Sequence, residues 1–363
     1  MSKKISKIVI TGGPCAGKTT GLSWIQNAFT NRGYKVIFIN EISTELINNG
    51  IQPWTFPIKS FQSLLLRMQL KKEALYEEIA QNSDYEKILI VCDRGALDGK
   101  GFTDKDTIEQ IIKEIGKSEI ELRDNYDAVF HMVTAAKGAE EFYTLENNSA
   151  RTETPEQARL ADDKLIDAWT GHPYYRIIGN SGNFDDKMKR LISEIAKSLG
   201  EPKASECKKR YLIEYPDLSI LNQNGKIKKI EIYQTYLKCT DDEKIQIRKR
   251  GLNGDYIYYQ TRARVLNNEL LQVEKRLTKE EYDEKLASLG STSKQLKRIR
   301  YCLNETNNYL EIDTYPFWQD KAILNVNLLD INDQVNIPEM IKVIEDVTNK
   351  KEYLNSELIK KYI

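Results

Sequence analysis

A chain of 363 residues exceeds what one ordinary hydrophobic core organises, so two domains are expected. Its 54 basic and 54 acidic residues cancel, which argues against a general nucleic-acid binder, since such proteins carry a basic excess. An apolar fraction of 40% suffices for packed cores, yet no apolar run approaches a membrane span, and the run before the first glycines is too short for a secretory signal. The five cysteines are scattered without CxxC spacing, as reduced thiols would be. Two histidines are too few for a histidine-based zinc site, and the cytoplasm is the expected compartment.

In chain order, a buried strand is predicted over residues 7–11. It runs into Gly12-Gly13-Pro14-Cys15-Ala16-Gly17-Lys18-Thr19-Thr20, which fits GxxxxGK(S/T), and a helix is predicted over residues 19–32. Glycines let such a loop turn its backbone N–H groups around phosphates, and the following helix presents its positive end. Lys18 is placed to reach β- and γ-phosphate oxygens, and the Thr19 hydroxyl to ligate Mg²⁺.

A second strand, over residues 35–40, is followed by Glu41. Two roles fit that carboxylate, a base for a substrate hydroxyl or water, or an acid of the next helix's N-cap region. After a helix over residues 61–80, the strand at 88–93 ends in Asp93, placed as a Walker B carboxylate holding Mg²⁺ beside Thr19. Asp93-Arg94 is similar to the pair in nucleoside and nucleotide kinases. Strands at 128–133 and 175–178 flank a helix over 155–170. Arg151 and Arg159 are candidates to close over the phosphates. His172 reads as structural, and Asn180 sits where related folds contact the base. Residues 1–200 are therefore expected to form an α/β P-loop NTPase domain, a parallel sheet with helices on both faces.

The texture then changes. Short strands with period-two alternation are predicted at 208–213, 228–236, 244–250, 256–264, 270–276, 296–303, 309–315 and 322–329. A helix capped by Thr278 interrupts them at 279–289. Such strands argue for an antiparallel barrel or curved sheet over residues 201–335, and residues 336–363 look like a helical tail packed on the outside. Charges recur two apart, a spacing that shares one strand face: Lys208/Arg210, Arg248/Arg250, Arg262/Arg264 and Arg298/Arg300, joined by Glu274/Arg276 and Glu311/Asp313. A barrel lined this way would be polar and suited to an anion.

The segments KRYLI (209–213), IYQTYL (232–237), IRKR (247–250), YYQTR (258–262) and RIRY (298–301) resemble, in order, the CYTH or triphosphate-tunnel superfamily. That resemblance implies an α+β antiparallel β-barrel in which basic residues hold a phosphorylated ligand and acidic ones a divalent metal. The acidic half departs from the pattern. Lys208 stands where the opening ExExK strand has a carboxylate, and Asn325 and Asn327 replace the closing ExE. A binding tunnel is thus expected rather than a triphosphatase. Taken whole, with the stretch from Tyr126 to Ala136, the segment from Asn147 to Glu153 and Gly171-His172-Pro173, the chain is similar to the TRPL translocation-defect protein family. That resemblance implies GTP binding, recognition of an anionic phospholipid head group (a phosphoinositide or phosphatidic acid), peripheral membrane contact and a role in membrane-protein trafficking. The residues alone leave GTP and ATP both open, and a small-molecule kinase remains the alternative.

Overall fold

The computed structural model describes residues 3–143, 154–201, 207–222, 227–240, 243–266, 269–289, 294–305, 308–328 and 335–363. The chain divides into two compact units, Met1–Ile195 and Ala196–Ile363.

The first unit is built on a five-stranded parallel sheet, with strands β1 (Lys4–Thr11), β2 (Lys35–Ile39), β3 (Lys87–Asp93), β4 (Ala128–Met132) and β5 (Tyr175–Ile178) in the order β2-β3-β1-β4-β5. The central strand is buried without interruption from Ser6 to Thr11, as a strand covered on both faces must be. The helices are α1 (Lys18–Thr30), α2 (Ile42–Asn48), α3 (Ile58–Asn82), α4 (Lys105–Glu114), α5 (Glu119–Arg123), α6 (Pro155–Trp169) and α7 (Phe184–Ser198). Their starts follow local chemistry. Asp104 caps α4 through the Thr107 N–H. Thr154 and Gln157 form a capping box on α6, with Pro155 in the first turn where a missing N–H costs nothing. Helix α3 outruns the predicted 61–80 at both ends, because Pro57 and Ser83 lie beyond the residues whose periodicity gave the signal.

The second unit is a nine-stranded antiparallel sheet. Its strands are β6 (Cys207–Glu214), β7 (Lys228–Cys239), β8 (Glu243–Leu252), β9 (Asp255–Leu266), β10 (Glu269–Leu277), β11 (Gln295–Glu305), β12 (Asn308–Thr314), β13 (Lys321–Leu328) and β14 (Val343–Asp346). The order is β10-β9-β8-β7-β11-β12-β13-β6-β14. The antiparallel sheet expected here is present, and among the described residues β10 and β14 do not pair to close it into a barrel. A short helix, α8 (Leu218–Leu221), follows β6, and α9 (Lys279–Ala287) begins with a Thr278–Glu281 capping box, as predicted.

The tail differs from the expected helix in one respect. Val343–Asp346 is a strand paired to β6, and only α10 (Asn355–Tyr362) is α-helical. Helix α10 lies on the sheet with one side buried and Lys360, Lys361 and Tyr362 exposed. Its Leu358 and Ile359 pack with Leu212, Leu296 and Ile323, which register on the polar face of the sheet described below. The opposite face is apolar, with Ile213, Leu303, Leu310, Ile312, Leu324 and Val326 in one buried cluster.

Candidate nucleotide site and polar face

The loop after β1 has the backbone that its glycines permit. Gly12 has φ 144°, and a Cβ there would lie 2.1 Å from the Met132 carbonyl oxygen, so no side chain fits. Gly17, at φ 84°, turns the chain into α1, whose first-turn amides have no helical partner and favour an anion. Lys18 is folded back on the loop, with Nζ donating to the carbonyls of Gly12 at 3.1 Å and Gly13 at 3.3 Å. Thr19 and Thr20 are exposed in the first turn of α1, while Pro14 and Ala16 are buried and Cys15 half-buried.

Register carries Asp93 to this loop, since Ile10 at the end of β1 pairs with it. Burial pushes the Asp93 carboxyl up, against the pull of Lys18. Its Oδ1 is buried without a hydrogen-bond partner among the described residues. A hydroxyl and a buried, unsatisfied carboxylate oxygen are hard donors of the kind Mg²⁺ takes, so Thr19 and Asp93 fit that ion.

Glu41 follows β2 at the N-cap position of α2, but its side chain caps no helix amide. It pairs instead with Arg94 Nε and accepts from the Thr44 hydroxyl at 2.8 Å. Burial alone would raise its pKa, but Arg94 and then Lys18 outweigh this and hold it at about 2. Such a carboxylate is ionised and weakly basic, and Lys18 lies within reach of its field. Arg94, at φ 71°, also donates to the Gly12 carbonyl and to Asp98, both at 3.3 Å. Asp98 was not singled out from the sequence. It accepts from Thr11 Oγ1 at 2.8 Å and from Trp169 Nε1 at 2.7 Å, fastening the turn after β3 to β1 and α6.

Two further residues missed by sequence reasoning grip the loop from outside. Asp162 of α6, buried, accepts from the Gly13 N–H at 3.0 Å, the Thr134 N–H at 3.2 Å and Lys137 Nζ at 2.9 Å, and meets His131 Nε2 at 3.0 Å. Burial would raise its pKa, but His131 and Lys137 prevail and hold it well below the usual carboxylate range. Lys187 of α7 donates to the carbonyls of Ala16 at 3.0 Å and Val133 at 2.6 Å and to Asn180 Oδ1 at 2.7 Å. Its burial lowers the ammonium to about 7. Neither residue sits in a pattern that distinguishes it from a solvated charge.

The remaining candidates divide. Asn180 Nδ2 is spent on the carbonyls of Thr134 at 2.8 Å and Lys137 at 2.7 Å, so its amide braces the loop after β5 instead of offering donors to a base. Arg159 is half-buried and donates to the Ala136 carbonyl at 2.7 Å. Arg151 lies outside the described residues. His172 is buried between the Tyr126 carbonyl and the Tyr174 N–H, each at 3.0 Å, which suits a neutral ring in a structural role.

In the second unit, cross-strand register places Lys208, Arg210, Arg248, Arg250, Arg298 and Arg300 on one face with Glu274, Glu311 and Asp313. Arg300 grips Asp313 through two bonds of 2.7 Å and Glu311 through a third of 2.7 Å. Lys208 stands 3.6 Å from Glu311, and Arg298 3.5 Å from Asp313. Asn325 adds a bond of 3.2 Å to Asp313. Burial works to raise Asp313, but Arg300 and Arg298 hold it at about 2. Arg248 binds Glu274 at 2.6 Å, and Arg210 reaches the Tyr353 carbonyl at 2.7 Å. Arg262 does not join them. It registers opposite Ile245, on the other face, where it is exposed and pairs with Glu243 at 2.9 Å. Arg264 shares that register, and its side chain lies outside what is described. Among the described residues no cluster of three histidine, cysteine or acidic side chains is placed to hold a metal.

Against known proteins, residues 7–187 match the family model described as AAA domain. No curated protein matches the chain. Three solved structures similar to it share 18–20% identity. The inorganic triphosphatase NE1496 is 18% identical with a TM-score of 0.30, covering 43% of this chain and 94% of its own. The PH1012 protein from Pyrococcus horikoshii OT3 is 18% identical with a TM-score of 0.27, over 35% of this chain and 81% of its own. A conserved hypothetical protein from Pyrococcus furiosus is 20% identical with a TM-score of 0.26, over 34% of this chain and 78% of its own. Likeness at this level carries no functional argument.

Proposed function

With a P-loop-like AAA domain over residues 7–187 as premise, we propose that the first unit binds GTP or ATP with Mg²⁺ and that the polar face of the second holds an anionic phosphorylated ligand. One observation carries the nucleotide half: Lys18 is folded onto its own loop beside a half-buried Asp93 whose buried Oδ1 lacks a partner among the described residues. A triphosphate gives Lys18 better acceptors than the carbonyls of Gly12 and Gly13. Thr19 and Asp93 would hold Mg²⁺, which offsets the phosphate charge. What supports the second half is the excess of basic over acidic side chains on one sheet face. The phosphoinositide or phosphatidic acid head group, the peripheral membrane contact, the trafficking role and any preference for GTP rest on the sequence resemblance to the TRPL translocation-defect family.

A second reading, phosphoryl transfer to a small acceptor, draws on the position of Glu41 after β2, although a carboxylate held at about 2 by Arg94 and Lys18 is a weak base for an acceptor hydroxyl. Nucleotide-to-acceptor transfer that disappears in Glu41→Gln would establish it. Triphosphatase chemistry in the second unit is disfavoured, because Glu311 and Asp313 are already engaged by Arg300, Arg298 and Lys208.

The test is a thermal-shift series with ATP, GTP and their diphosphates, with and without Mg²⁺, since a ligand of the folded state raises its midpoint. Lys18→Ala is expected to abolish the nucleotide shift and to leave inositol-phosphate binding unchanged. Equal loss of both in a folded variant would contradict two separate sites.

A further inference from the structure

Phosphates seated after β1 fix one end of a nucleotide, and the charged groups beside them fix its direction. Glu41 follows β2, Asp93 ends β3 and Arg94 follows it, and both strands lie on one side of β1 in the sheet. That side suits metal and terminal phosphate, so the nucleoside extends over the other, toward β4 and β5. The loop after β5 stands there and leads to Phe184, the first residue of α7.

The Phe184 ring lies against the phosphate loop itself: a Cβ built on Gly17 would stand 2.7 Å from its Cε2. Yet the residue remains 44% exposed. Its loop is pinned. Arg190 Nη2 donates to the carbonyls of Gly179 at 2.9 Å and Ser181 at 2.7 Å, and Asn183 and Asp186 cap each other's backbone N–H groups at the start of α7. Asn180, the side chain best placed to read a base edge, has turned both donors inward.

We propose that Phe184 is the platform on which the nucleotide base stacks, and that the first unit therefore takes adenine and guanine triphosphates with similar affinity. This rests on the nucleotide-binding reading above. Every base has a π face, so stacking holds a base without identifying it, whereas discrimination needs hydrogen bonds to the base edge.

The experiment titrates the full chain with ATP and with GTP in Mg²⁺ by calorimetry, using Lys18→Ala to identify heat that does not come from the phosphate loop. The two dissociation constants are expected within about tenfold of each other, and Phe184→Ala to weaken both by about tenfold, in proportion. Phe184→Trp should restore them, which separates stacking from loss of fold. A wild-type preference beyond about tenfold overturns the proposal, as does a loss under about threefold or one confined to a single base in Phe184→Ala. If the wild type binds neither purine triphosphate, the nucleotide reading itself fails and stacking falls with it.

Discussion

Glu41 shows how a single charge at this site is set by its neighbours. Arg94 and Lys18 bring its pKa from 4.5 to about 2 against the opposing effect of burial. A folded pKa below the unfolded one means that the ionised pair stabilises above pH 4.5 and that this contribution is lost as pH falls toward 2. Discounted for partial exposure, it amounts to roughly 2 kcal/mol. Glu41→Gln should therefore be less stable than the wild type by about that amount at pH 7. The gap should close near pH 2. Chemical unfolding followed across pH reads both, and a gap independent of pH would refute the ion pair. At this scale the sequence was partly legible. Lys18, Thr19 and Asp93 lie in a motif whose spacing encodes their geometry. Asp98, Asp162 and Lys187 do not, because what buries them comes from distant segments: Asp162 meets Gly13 and Thr134, and Lys187 meets Ala16 and Val133. In the chain each looks like one more solvated charge.

At the scale of elements, the parallel strands could be read because burial on both faces demands unbroken apolar runs such as Ile88 to Cys92. Strand β14 could not. It is four residues long, largely exposed, and among the described residues pairs with β6 alone. The paired charges illustrate a different limit. Spacing by two establishes that Arg262 shares a face with Arg264, as Arg248 does with Arg250, but only cross-strand register decides whether the two strands point these pairs the same way. They point oppositely. Arg300→Met, which removes the shortest ion pairs of two buried carboxylates and leaves them the longer ones to Lys208 and Arg298, should cost about 3–5 kcal/mol in chemical unfolding. Arg262→Ala should stay within about 0.5 kcal/mol and leave anion binding intact. Comparable losses in the two variants would contradict the assignment of faces.

At the scale of the whole molecule, balanced composition concealed local imbalance. The chain has no net charge, yet among the described residues one sheet face carries basic side chains on strand after strand, Arg248 and Arg298 among them, with Glu274, Glu311 and Asp313 between them. Totals are blind to that arrangement, and the alternation of residues along each strand was the signal that revealed part of it. Two compact units, each closing its own core, also explain why the chain reads as two textures in sequence. The grip of Asp162 and Lys187 on Gly13 and Ala16 has a kinetic corollary. A loop held in shape before its guest arrives needs no ordering step, so arrival should follow one exponential whose rate climbs linearly with nucleotide concentration. Residence time would then separate strong guests from weak ones, and stopped-flow mixing that reveals a slow, saturating phase would mean the loop must first be remade.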